Sequence, residues 1–159
     1  MSRDSPALTP QDYAALGEFR YRIRHFLRFS ELATRHEGLE PQQHQFLLAV
    51  RALDEPDGPT IRQIADYLLV RHNSAVGLVD RLTERGLVER VRGGNDRRQV
   101  RVRLTARGDQ KLRRLSEIHH AELRNSGPRL VEALGSLLRE WPAQGKKEED
   151  VSTAKGRHS

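Results

Sequence analysis

The chain has 159 residues, 36% hydrophobic and 31% charged, with a formal net charge of +6, which predicts one domain around one core. It contains no cysteine, which excludes disulfides, thiol redox sensing and cysteine-zinc sites and fits a reducing cytoplasm. No apolar run approaches the roughly 20 residues of a membrane span, and the N-terminus MSRDSPALTP lacks the apolar core of a signal peptide.

Residues 11–36 place Leu16, Phe19, Ile23, Phe26, Leu27 and Ala33 mostly three or four apart, the period of an amphipathic helix. Gly38 ends it. Glu40-Pro41 opens a second helix with proline at its first position, and Phe46, Leu47, Val50 and Leu53 give that helix a buried face. DEPDGP at 54–59 is a loop by its turn residues. Thr60 and Gln63 form a capping-box pattern, so a third helix starts there, with Ile61, Ile64, Ala65 and Leu68 inward. A turn falls near Val70–Asn73. Asn73 is a candidate N-cap of a fourth helix, Gly86 its stop, and Val76, Val79 and Leu82 its inward face.

Two short strands follow, 87–92 and 98–104. In the second, Val100, Val102 and Leu104 alternate with Arg101 and Arg103, as a half-buried strand does. Gly93, Gly94 and Asn95 supply the turn between them. Thr105 caps a long helix with Leu112, Leu115, Ile118, His119 and Leu123 along one stripe. Gly127-Pro128 is expected to interrupt it. A last helix then carries Leu130, Leu134, Leu137, Leu138 and Trp141. The polar tail 142–159 has no period and is expected to be disordered.

Charge is unevenly placed. Residues 62–114 carry 14 Lys or Arg against 6 Asp or Glu, while the rest carries 14 against 16. A basic run is commonly only a solvated face. Here the excess falls on a helix-turn-helix followed by a hairpin, the arrangement a phosphate-binding surface needs.

A helix-turn-helix braces its second helix so that N-terminal residues reach base edges in the major groove. The candidates are Arg71, His72, Asn73 and Ser74, followed by Gly77 and Arg81. Asn suits adenine and Arg suits guanine, each bidentately. Asn73 has two open readings, cap and base contact, and the arginines have the alternative of simple solvation. Gly77 costs a helix interior about 1 kcal/mol relative to alanine; close approach to DNA or to a neighbouring helix would offset that. Arg92, Asn95, Asp96, Arg97 and Arg98 surround the hairpin tip. Arginines there suit a narrow minor groove. Asp96 either holds Arg97 or Arg98 by a charge-assisted hydrogen bond or only forms the turn.

The segments IRQIADYLLV, VDRLTERGLVERV and NDRRQVRVRLTARG, in that order, resemble the winged helix-turn-helix of the MarR family, the multiple-antibiotic-resistance type of bacterial regulators. The family's aspartate-any-arginine signature falls on Asp96 and Arg98. Its leucine-threonine-x-x-glycine signature falls on Leu104, Thr105 and Gly108. Gly77 departs from the family pattern, where larger polar residues are frequent.

The resemblance implies a mainly α fold with a small antiparallel β-hairpin wing, covering residues 11–141. It implies a DNA-binding lobe at about 41–104 and dimerisation helices at about 11–36 and 105–141. The implied protein is a homodimer that binds a pseudo-palindromic duplex operator, most often as a repressor. Family members are often released by a small aromatic or anionic effector lodged between the two regions. Phe26, Phe29, His44 and His119 are the candidate pocket residues; the bland alternative is that they are core or interface side chains. No cofactor or metal is expected: His119 and His120 point about 100° apart on a helix and cannot easily share an ion. Two rival functions remain. One is a winged-helix module that binds proteins instead of DNA. The other is an enzyme, which the lack of any G-x-S-x-G, H-E-x-x-H or P-loop pattern argues against.

Overall fold

The computed structural model describes residues 8–92 and 99–140. Five helices and one hairpin follow in chain order: α1 Pro10–His36, α2 Pro41–Ala52, α3 Ile61–Leu68, α4 His72–Glu84, β1 Val88–Arg92, β2 Val100–Leu104 and α5 Ala106–Glu140. This is a winged helix-turn-helix, flanked by a long helix at each end. The hairpin turn Gly93–Asn95, the tip residues Asp96, Arg97 and Arg98, Trp141 and the tail lie outside the described residues.

Local chemistry sets most boundaries. Thr9 and Asp12 form a reciprocal capping box at the start of α1, with Thr9 N–H donating to Asp12 at 2.6 Å. Glu40 and Gln43 do the same for α2, with Pro41 at its first position. The Thr60–Gln63 box opens α3 as its sequence predicts: Thr60 N–H donates to Gln63 at 2.8 Å and Gln63 N–H to Thr60 Oγ1 at 3.2 Å. Gly86 ends α4 with φ +67, where Leu87 N–H reaches back to the Leu82 carbonyl at 2.9 Å.

The core is one cluster built by α2, α3, α4, the strands and the first turns of α5. Phe46, Leu47, Ile64, Val79, Leu82, Val102 and Leu115 are fully enclosed there. The two strands pair antiparallel from Val88 opposite Leu104 to Arg92 opposite Val100. Basic side chains then bind the corner between α1 and α2. Arg85 donates to Gln43 at 2.8 Å and to the Gly38 carbonyl at 2.6 Å. Lys111 donates to the Glu37 carbonyl at 2.6 Å, and Arg114 pairs with the Glu37 carboxylate at 3.0 Å. Arg51 and Asp109 tie α2 to the start of α5.

Two expectations need correction. The C-terminal region is one uninterrupted helix of 35 residues, with Pro128 inside it. Proline removes the hydrogen bond to the Arg124 carbonyl, which normally kinks or ends a helix. The helix nevertheless continues through it: Pro128 itself is exposed, α1 runs alongside α5, and Ala133, just past the proline, is buried. The second correction concerns α4. Its N-cap is Arg71, and Asn73 is already its second residue. The chain turns earlier because Leu69 takes the left-handed conformation, φ +55, and Val70 N–H closes back on the Ala65 carbonyl at 3.0 Å.

The apolar faces of the flanking helices find little cover within the chain. On α1 only Thr34 is buried. Tyr13, Leu16, Tyr21, Leu27 and Leu32 are exposed, as are Leu123, Val131, Leu134 and Leu138 of α5.

Candidate nucleic-acid interface

Helix α4 has two sides of opposite character. Ala75, Leu78, Val79 and Leu82 lock one side into the core. Asn73, Ser74 and Arg81 stand exposed on the other, with Gly77 between them half-buried. Freed from capping, the Asn73 amide has both hydrogen-bonding ends available to an outside partner. These four residues line a single recess of about 600 Å³, together with Pro41, Gln42 and Gln45 of α2 and Leu68, Val70 and Leu78. The first turn of α4 carries no acidic residue and its cap makes no side-chain bond. Its N–H groups and positive dipole end therefore remain uncompensated, a setting that favours an anion.

Arg71 and His72 do not join that recess. His72 instead lines a separate notch of about 380 Å³ with Thr60, Ile61 and Arg62 of the α3 start and Gln99 and Val100 of the wing. Arg71 is exposed at the cap itself. Gln42, Gln45 and Arg62 are additions that sequence reading did not single out. Their only signal was polarity near a helix start, which many solvated residues share.

In the wing, three arginines are engaged within the protein. Arg90 pairs with Asp80 of α4. Arg101 donates to the Gly58 carbonyl at 2.8 Å, and Arg103 pairs with Asp57 at 3.0 Å. These bonds fix the hairpin to α4 and to the loop before α3. Arg92 is exposed at the end of β1. The remaining wing candidates, Asn95, Asp96, Arg97 and Arg98, lie outside the described residues.

A third cavity, about 350 Å³, lies between the flanking helices and the α2–α3 pair. Phe26, Leu27 and Ser30 of α1, His44 and Leu48 of α2, Tyr67 of α3 and His119, His120 and Leu123 of α5 are among its walls. Three of the four pocket candidates thus line it. Phe29 does not: it sits edge-on to His119, centroids 6.0 Å apart, without reaching the cavity. His44 and His119 stack at 4.9 Å. His119 Nδ1 lies 2.6 Å from the Leu115 carbonyl, which can only accept, so that nitrogen carries the proton. His119 Nε2 lies within hydrogen-bond distance of the Ser30 hydroxyl, at 2.7 Å. Burial, and secondarily the His119 ring, push the His44 pKa down to about 4, so His44 is neutral at pH 7. Gln45 and Leu68 belong to the walls of both this cavity and the α4 recess. Among the described residues, no group of three or more His, Cys, Asp or Glu is placed to hold a metal ion.

Comparison with known proteins agrees with this geometry. A model of the MarR family matches residues 37–99, which run from the α1–α2 corner to the wing. No curated protein matches the chain. Among solved structures, the chain is similar to AbsC, a MarR family transcriptional regulator from Streptomyces coelicolor, at 20% identity and TM-score 0.68, over 85% of this chain and 92% of that one. A MarR family protein from Bacillus stearothermophilus aligns at 22% identity and TM-score 0.65, over 84% of this chain and all of the other. A mutant MarR from E. coli complexed with operator DNA aligns at 24% identity and TM-score 0.60, over 76% of this chain and 87% of that one.

Proposed function

We propose that this chain, a MarR-type winged helix-turn-helix protein, is a DNA-binding transcriptional regulator that acts as a homodimer on a pseudo-palindromic duplex site. The observation that carries the reading is the α4 recess. It gathers Asn73, Ser74, Gly77 and Arg81 on the outward side of a helix whose other side is fixed in the core. Such a helix can enter a major groove without distorting its own packing. Arg62 and His72 in the adjoining notch are suited to phosphates on either side of that groove, and the wing to the next minor groove. The E. coli relative captured with operator DNA supports the same use of the fold.

Two further parts of the proposal rest on separate observations. Pairing through α1 and α5 is supported by their exposed apolar residues, which a lone protomer leaves as a large wet patch. Release by a small aromatic or anionic effector is supported by the His44–His119 cavity, whose walls are mainly apolar with a few imidazole and hydroxyl groups. An occupant there would press on Gln45 and Leu68, which also shape the DNA-facing recess. Repression is the simplest outcome of a dimer that occupies an operator and leaves it when a ligand binds.

The test is fluorescence anisotropy with duplex from upstream of the protein's own gene and with a shuffled duplex, each at two salt concentrations. The expected result is tighter binding to the first duplex, two protomers per site, and an affinity that falls as salt rises. Weak, salt-independent binding to both would overturn the reading in favour of a protein-interaction module.

A further inference from the structure

Gly77 has no internal reason to be glycine. It is the sixth residue of α4, in a helix interior where only proline is a weaker helix former. A Cβ there would meet nothing nearer than the Arg81 guanidinium at 3.7 Å, an ordinary contact. Gly58 and Gly108 differ sharply: a Cβ on either would strike a backbone oxygen, at 2.3 and 1.9 Å. Among the described residues no helix therefore demands the gap at Gly77, and its effect is felt on the outside. It opens the recess between Asn73, one turn before it, and Arg81, one turn after it.

We infer that the Gly77 gap seats the C5 methyl group of a thymine in the major groove, which makes Gly77 a specificity-determining position. The inference rests on the duplex-binding reading given above. Its chemistry follows from what the gap offers. Gly77 presents no side-chain donor or acceptor, and its N–H is held in the helix ladder. Leu68, Val70 and Leu78 add apolar surface to the recess. Such a site cannot read a hydrogen-bonding edge, but it can accept an apolar projection. Along the major groove the thymine methyl is the one such group, while amide and guanidinium groups read adenine and guanine. Asn73 and Arg81 are therefore placed to bond the bases flanking a thymine that the gap accepts. A side chain at position 77 would fill that space and hold the helix further from the base pairs.

The test begins with selection of binding sites by the full chain from a pool of random-sequence duplexes. Each thymine of the selected site is then replaced by uracil, one position at a time in both half-sites, which removes only the methyl group. Affinity is measured for the wild-type protein and for Gly77→Ala, with the melting temperature of each. The expected result is one thymine whose methyl loss weakens wild-type binding about fourfold per half-site, the worth of one buried carbon. Gly77→Ala should bind the thymine duplex less well, be indifferent to uracil there, and melt no lower than wild type. Wild-type indifference to uracil at every position would overturn the inference and leave the regulator reading intact. Equal uracil sensitivity in Gly77→Ala would also overturn it, because the methyl would then be read elsewhere. A pool that yields no preferred sequence would overturn the regulator reading, and this inference with it.

Discussion

Gly108→Ala sets two physical effects against each other with opposite signs. Gly108 is the third residue of α5, buried where that helix starts against Leu87, the residue before β1. In the interior of a helix, alanine stabilises by about 1 kcal/mol relative to glycine. The new Cβ, however, would lie 1.9 Å from the Leu87 carbonyl oxygen and 2.9 Å from its carbon. The helix start must retreat by roughly 1 Å to relieve that overlap, because such contacts are strongly repulsive. Retreat strains Thr105 N–H to the Leu87 carbonyl at 3.1 Å and the Thr105 hydroxyl to the Gly86 carbonyl at 2.7 Å. Each bond contributes about 1 kcal/mol net, and overpacking adds about 1–3 kcal/mol. After the propensity gain, the net loss is about 2 kcal/mol or more, or about 4–8 °C in melting temperature for a chain of this size. Calorimetry of wild type, Gly108→Ala and Gly77→Ala decides it, since Gly77 has the same propensity gain and no clash. A Gly108→Ala melting point equal to or above wild type would refute the close approach of α5 to the Leu87 backbone.

Four other outcomes are expected. Leu69→Gly should raise stability by about 0.5–1 kcal/mol in chemical denaturation, because Leu69 holds φ +55 while 93% exposed and so loses strain without losing packing; a lower midpoint would mean that Leu69 makes a stabilising contact in the assembled protein. His44 has a folded pKa of about 4, below its unfolded value near 6.5, so protons favour the unfolded chain. Stability should therefore be complete above pH 6.5 and fall as pH drops from 6.5 towards 4, and His44→Gln should flatten that fall in a pH series of thermal melts. Asn73→Ala and Arg81→Ala should each cost about 1–3 kcal/mol of affinity for a selected duplex and relax its sequence preference, with Asn73→Ala leaving helix stability nearly intact because Arg71 is the cap; unchanged affinity in both would sink the α4 reading. Val131→Glu together with Leu138→Glu, both on exposed sites of α5, should yield a folded monomer in sedimentation at micromolar concentration; an intact dimer would place the pairing surface elsewhere.

Boundaries set by local chemistry were legible in the sequence. The Thr60–Gln63 box, the Glu40-Pro41 start and the Gly86 stop lie where their residues predict, because each is completed by groups within four positions. The alternation of Val100, Val102 and Leu104 likewise gave β2, with Val102 at its buried centre. What escaped depended on partners distant in sequence or on an unusual backbone state. Pro128 is a helix breaker by its own chemistry, and its spacing does not reveal that the turns on both sides of it stay helical beside α1. Asn73 lost the cap position because Leu69, a residue with no preference for positive φ, turned the chain early. The site was legible as a stripe along α4. That Gln42 and Gln45 face it from α2, and that Arg62 shares a notch with His72, follows from helix crossings that no spacing encodes.

The continuity of α5 has a mechanical consequence. At 35 residues it is a rod about 52 Å long. One end is pinned by Gly108 and Thr105 against Gly86 and Leu87, the turn between α4 and the wing, and the other lies on the proposed pairing face. A broken helix would absorb a tilt at its joint; a rod transmits it, at about 0.9 Å of end displacement per degree over that length. In the proposed dimer, two such rods would act as opposed levers. A tilt of a few degrees at that clasp would move the two proposed reading heads by several ångströms relative to each other, enough to take them out of step with the roughly 34 Å repeat of duplex DNA.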